Sequence, residues 1–275
     1  MKKAAEGRTL VNEVTINAPI EAVWSAISDA QELVRWFPLE CRVTPGPDGW
    51  EGGSIWFSWK SMTVGEARIE VWEPRRRLRT SWEMGDPAGS GAPVRLADEY
   101  TLESKGGATV LRLVSSGFGR EAAWDGMYDC IRRGWQFELR GLVNYLERHR
   151  GRGRAVAWVQ QKVTMPMNRM LDTLMGPRGF NGAPAWTALT QGARWTGTDV
   201  DGSPLSGEVL HVDPSGLIVI RLDQWNGAIL RIEHQAAAPG EFGGLWLWFS
   251  IYGEDPKKVE RLERRWGERC AALFA

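Results

Sequence analysis

Cysteine, histidine and tyrosine are scarce in this chain of 275 residues, with three, three and four copies. Cys41, Cys130 and Cys270 are odd in number and widely spaced, so no disulfide framework is expected. They do not cluster with His149, His211 or His234, and without a third ligand near the histidines no metal site is expected either. The three cysteines read as ordinary thiols. No apolar run approaches the roughly 20 residues of a membrane-spanning helix. Met1–Arg8 has the basic start of a signal peptide but no apolar stretch behind it, so a cytoplasmic protein is expected. Charge of one sign is also missing: Lys+Arg and Asp+Glu both number 34. That balance removes any general attraction for nucleic acid or an anionic membrane. There is no nucleophile elbow, Gly-rich phosphate loop or paired ligand spacing, and no cofactor is expected.

Tryptophan is what the chain has in abundance, sixteen copies against four tyrosines. Ser54–Lys60 alternates so that Ile55, Phe57 and Trp59 share a face opposite Trp56, Ser58 and Lys60. By the same alternation Leu78, Thr80, Trp82 and Met84 share a face, as do Leu96, Asp98, Tyr100 and Leu102. A helical stripe runs through Trp124, Met127 or Tyr128, Ile131, Trp135, Leu139, Leu142 and Leu146. Stripes of this kind usually fill a core. Indole rings also make flat apolar walls with an N–H for a polar group of a ligand.

The order of elements adds to this. Thr9–Ile16 alternates as a strand, Pro19 suits a first helical turn, and Ile20, Val23, Trp24 and Ile27 recur at helical spacing. Together with Val64–Pro74, a Gly-Glu strand ending in Glu-Pro, and the long helical run Asp125–Leu146 carrying Trp135, this start resembles the Bet v 1/START-like superfamily. The match is to the bacterial branch named after the activator of Hsp90 ATPase, over roughly Thr9 to Glu147. The resemblance implies an α+β helix-grip fold, in which a curved antiparallel sheet wraps one long C-terminal helix around an apolar pocket.

The second half reads as a degenerate copy. Gly207-Glu208 leads through a strand to Pro214 as Gly65-Glu66 leads to Pro74, and Leu217–Ile220 follows as Leu78–Trp82 does. Closing helices carry Arg132-Arg133-Gly134-Trp135 and Arg264-Arg265-Trp266, with Asp255-Pro256 capping the second. The region matching the first helices, Met165–Gly176, lacks an aromatic at the Trp24 position. Trp195, Trp225, Trp246, Trp248 and Trp266 could build another pocket. Two domains are therefore expected, 1–147 and 155–275, joined by a solvated linker at 148–154 whose arginines alternate with glycines. The strand Leu245–Tyr252 is apolar on both faces, which implies a partner surface, either the first domain or a second chain.

The expected partner is a small hydrophobic ligand held by Trp36, Phe37, Trp59, Trp82, Tyr100, Met127, Ile131 and Trp135. Asp98 is the carboxylate that alternation places on the same face, two residues from Tyr100, an arrangement suited to a general base with a hydroxyl partner. The alternative is that Asp98 pairs with an arginine or caps a backbone group. Tyr128, Asp129, Arg132 and Arg133 read as a solvated helical face with ordinary ion pairs. Three readings follow: a carrier of a small apolar molecule, a cyclase- or hydrolase-type enzyme using the same pocket, and a co-chaperone-like interaction module.

Overall fold

The computed structural model describes residues 7–60, 62–235 and 243–275. The basic start Met1–Glu6 lies outside them. The chain divides into two compact units, one ending at Arg150 and the other starting at Gly151.

In the first unit, β1 (Arg8–Ile16) buries Leu10 and Ile16 by alternation and leads through Pro19 into α1 (Ile20–Ser28). Asp29 then caps α2 (Ala30–Leu33), its carboxylate accepting from the N–H groups of Gln31 at 2.7 Å and Glu32 at 3.3 Å. Six strands follow: β2 (Glu40–Gly46), β3 (Gly49–Trp59), β4 (Met62–Glu73), β5 (Arg77–Gly85), β6 (Pro93–Lys105) and β7 (Ala108–Phe118). The closing helix is α3 (Asp125–Asn144), which runs on through a π-type turn at Tyr145–His149. All strand pairs are antiparallel, in the order β1-β7-β6-β5-β4-β3-β2. The first and last strands are thus neighbours, the signature of a sheet curled around its helix.

The second unit repeats the plan with one strand fewer. It comprises β8 (Arg154–Lys162), α4 (Met167–Met175), β9 (Arg194–Thr198), β10 (Pro204–Asp213), β11 (Leu217–Leu222), β12 (Ile229–Gln235), β13 (Gly244–Tyr252) and α5 (Pro256–Leu273). Its order is β8-β13-β12-β11-β10-β9, so the counterpart of the edge strand β2 is missing. The turns Glu73–Arg77 and Asp213–Leu217 join equivalent strands with equal spacing, which fixes the correspondence residue by residue. The protein is a two-copy α+β helix-grip fold.

The segment expected as a linker is shorter than 148–154. His149 is 2% exposed and closes the π-type turn, and Arg154 already pairs with Tyr252 in β8. Strand pairing uses the backbone and tolerates an arginine, whose guanidinium lies over the Trp248 ring at 6.0 Å.

Candidate functional site

Strand register confirms the inward face. Leu78 lies opposite Tyr100, Thr80 opposite Asp98 and Trp82 opposite Leu96. Asp98 is also paired with Ser115 across β6 and β7. Asp98, Thr80 and Ser115 are all buried. The Ser115 hydroxyl donates to Oδ1 of Asp98, and the indole N–H of Trp135, from the facing helix, donates to the same carboxyl. Burial pushes this carboxyl from its ordinary value of 3.8 up to about 7, against the opposing pull of its two donors and of the Arg79 charge. Arg79 itself is tied to Glu70 at 2.7 Å and Glu99 at 3.3 Å. The inward aspartate is therefore satisfied by a hydroxyl and an indole, not by an arginine or a backbone cap.

Tyr100 stands edge-on to Trp135 at 6.0 Å. Burial first, and then the charges of Asp98 and Glu138, raise its hydroxyl well above the usual tyrosine value. It stays protonated at neutral pH and can act only as a hydrogen-bonding hydroxyl, not as a phenolate base.

The nine tryptophans of the first unit separate into four settings. Trp36, Trp59 and Trp135 surround Phe37, whose ring lies 5.2 Å from Trp36 and 5.3 Å from each of the other two, as well as from Phe57. Trp36 is fixed by donating from Nε1 to the Ala26 carbonyl at 2.7 Å. Trp82 and Trp124 instead join Leu10, Leu96 and Phe118, with Ile131 packed against them. Trp24 is half-buried and meets Trp72 edge-on at 5.3 Å, while Trp50 stacks on Trp72 at 4.8 Å. Trp56 lies under the Arg42 guanidinium, 4.6 Å away.

The eight expected wall residues therefore fall into two groups. Trp36, Phe37, Trp59, Tyr100 and Trp135 form one ring-to-ring cluster, and Trp82 and Ile131 belong to the neighbouring apolar cluster. Met127 is half-buried on the first turn of α3. Phe37, Phe57, Trp59 and Trp82 are also only half-buried. Two cavities lie apart from this wall. One of about 340 Å³ is lined by Ala22, Ser25, Asp29, Gln31, Glu32 and Arg150, and one of about 260 Å³ lies in the second unit.

Sequence reasoning missed Ser115 and Glu138. Inward parity along Leu111, Leu113 and Ser115 would have found the first, and the spacing of three from Trp135 the second. On the helical face read as solvated, Asp129 pairs with Arg132 at 2.5 Å and Arg133 at 2.9 Å, but the Arg133 side chain is only 6% exposed.

The second unit keeps the indole and loses the polar group. Through the shared register, Leu230 stands where Asp98 does, Ile220 where Thr80 does, Ile232 where Tyr100 does and Phe249 where Ser115 does. Trp266 packs against Phe249 at 6.2 Å and Phe180 at 4.3 Å, and its N–H turns to Asp199 at 2.8 Å. The Asp98 arrangement belongs to the first unit alone.

A curved antiparallel sheet wrapped around a long closing helix defines the helix-grip class. Residues 17–147, just under half of the chain, match the family described as Activator of Hsp90 ATPase homolog 1-like protein. Among solved structures, protein MLL2253 from Mesorhizobium loti is 25% identical with a TM-score of 0.45, covering 52% of this chain and 99% of its own. DynU16, from the dynemicin biosynthetic locus, is 18% identical with a TM-score of 0.42, covering 97% of this chain and 96% of its own. The Aha1 dimer from Colwellia psychrerythraea is 18% identical with a TM-score of 0.40, covering 51% of this chain and 96% of its own. No curated protein matches the chain. Among the described residues, no helix is long and apolar enough to cross a membrane.

Proposed function

We propose that the first unit binds a small apolar or aromatic molecule against the wall centred on Phe37, with Trp59 and Trp135 as its flat surfaces. One observation carries the reading: Phe37, Phe57 and Trp59 lie in mutual ring contact yet are only partly buried. A wall that only filled a core would be closed over, whereas this one keeps apolar surface for a ligand. Trp36, Tyr100, Trp82, Met127 and Ile131 complete the proposed lining, and domain 155–275 carries no equivalent of its polar end. Three thiols outside any disulfide and a balanced charge suit a cytoplasmic carrier with neither a nucleic acid nor a membrane as partner.

A second reading rests on Asp98, whose carboxyl at about 7 is poised for proton transfer near neutral pH. In that reading the site is of cyclase or hydrolase type, with Asp98 exchanging the proton and Tyr100 donating a hydrogen bond. Binding and turnover of a ligand recovered from the purified protein decide between them. Asp98→Asn leaves affinity and function intact in a carrier, and leaves affinity but abolishes turnover in the enzyme. Loss of neither ligand nor stability on Trp59→Ala contradicts both.

A further inference from the structure

The cavity of about 260 Å³ in the second unit lies between the β9–β10 hairpin, the β11–β12 turn and the first half of α5. Its apolar lining is Trp225, Ile251, Val259 and Leu262. Six charged side chains share the lining, and their pairing leaves a remainder. Asp201 is bound to Arg265 at 3.3 Å, and Glu254 to Lys258 at 3.5 Å. Asp199 and Arg261 are left, with no ion pair to either among the described residues.

Asp199 is 7% exposed, so its carboxyl sits at the buried side of the cavity. One of its oxygens accepts from the Trp266 indole and from the Val200 N–H, both at 2.8 Å. The other accepts no hydrogen bond among the described residues and is open to the cavity. It can therefore take a charge-assisted hydrogen bond from a cationic donor lying in the cavity. Arg261, by contrast, is exposed at the rim.

The aromatic wall of this cavity is held in an unusual way. Trp225 and Asn226 have φ of 50° and 59°, a left-handed conformation that side chains with a Cβ adopt rarely. The turn is pinned at its base, where Gln224 Oε1 accepts from the Ser206 N–H at 3.1 Å, and Trp225 rests edge-on against Phe249 at 6.0 Å. Conformations of this kind persist where the surroundings hold them and cluster at ligand sites.

We infer that this cavity is a second binding site, for a small zwitterion with an apolar body, of the chemical class of an aromatic or aliphatic α-amino acid. The ammonium group meets the open oxygen of Asp199, the carboxylate meets Arg261, and the side chain lies on Trp225, Ile251 and Leu262. This site is independent of the wall around Phe37, because the two lie in different units and share no residue.

Calorimetric titration of the full-length protein with L-phenylalanine, phenethylamine and hydrocinnamate tests it. The amino acid is expected to bind, and deleting either charged group weakens binding about tenfold or more, the effect of one charge-assisted hydrogen bond. Arg261→Gln, a surface change, weakens L-phenylalanine and leaves phenethylamine unchanged; Asp199→Asn weakens L-phenylalanine and leaves hydrocinnamate unchanged. Trp59→Ala in the first unit changes none of these. Equal binding of the three compounds, insensitivity to Arg261→Gln, or no saturable binding at millimolar concentration overturns the inference.

Discussion

The indole N–H of Trp135 on α3 donates to the carboxyl of Asp98 on β6. This hydrogen bond ties the closing helix to the sheet it grips, together with the Tyr128 hydroxyl donating to the Thr9 carbonyl at 3.2 Å, alongside the ring contact between Trp135 and Phe37 at 5.3 Å. With Ser115 as a second donor, the carboxyl is satisfied although it lies 6% exposed. The wall and the polar group are therefore one construction, and what alters one is felt by the other.

Asp98 gives stability a definite pH dependence. Its pKa is raised on folding, so its contribution is fully present below about 3.8 and is lost as pH rises through about 7. Between about pH 5 and pH 8 the native protein is expected to lose roughly 2–3 kcal/mol relative to Asp98→Asn, which has no proton to lose. Urea unfolding of both proteins at the two pH values measures this, and a constant difference contradicts the buried, protonatable carboxyl.

Trp135→Phe removes the N–H and keeps a ring against Phe37. Since that N–H lowers the Asp98 pKa, its loss moves the titration above about 7. The expected cost in stability is about 1–2 kcal/mol, that of one hydrogen bond to a buried group. Carbon-detected NMR of the Asp98 carboxyl reads the midpoint directly; an unmoved midpoint shows that the indole is not its donor.

How much of this was legible in the sequence follows from period and spacing. Strand alternation placed Asp98, Tyr100 and Trp82 on one face, and the unbroken antiparallel register of β5 and β6 keeps them there, since a one-residue slip would invert every side chain. The repeat was legible in the Glu73-Pro74 and Asp213-Pro214 turns, which keep equivalent places in both sheets, whereas Gly207-Glu208 falls at the places of Ala67 and Arg68, two residues beyond Gly65-Glu66. Partners across strands were not read from single-strand faces. Ser115 reaches Asp98 only once β7 pairs with β6 through the two-residue Gly106-Gly107 turn, whose positive φ values of 60° and 85° suit a tight hairpin. Nor did helical spacing show that Trp24 leaves the core to meet Trp72, because a half-buried indole satisfies the same periodicity.

The contrast between the two copies predicts unequal responses at equivalent positions. Leu230 is fully buried among apolar neighbours with no donors in place, so Leu230→Asp is expected to cost about 3–5 kcal/mol. Asp98→Leu is expected to cost less, about 1–2 kcal/mol at about pH 8, where removing a buried charge offsets part of the loss of the acceptor for Ser115 and Trp135. Circular-dichroism melts compare them; similar losses from both changes contradict a polar site confined to the first unit.

The thiols differ in reactivity. Burial pushes Cys41 and Cys270 up to about 12, with Asp29 adding to the effect at Cys41, whereas Cys130 is exposed on α3. Iodoacetamide at mildly alkaline pH is expected to modify Cys130 alone in the native protein, since the thiolate is the reacting form. Intact mass and peptide mapping read the outcome, and rapid labelling of Cys270 contradicts the burial that α5 gives it.

The central claim is that the wall around Phe37 holds a small molecule. Native mass spectrometry of the freshly purified protein and of Trp59→Ala, with release and identification of whatever co-purifies, tests it most directly. A stoichiometric apolar or aromatic compound on the native protein, lost in the variant, is the predicted result. A native protein that is empty, and whose melting temperature no member of an apolar compound library shifts, contradicts it and makes these rings a packed surface and nothing more.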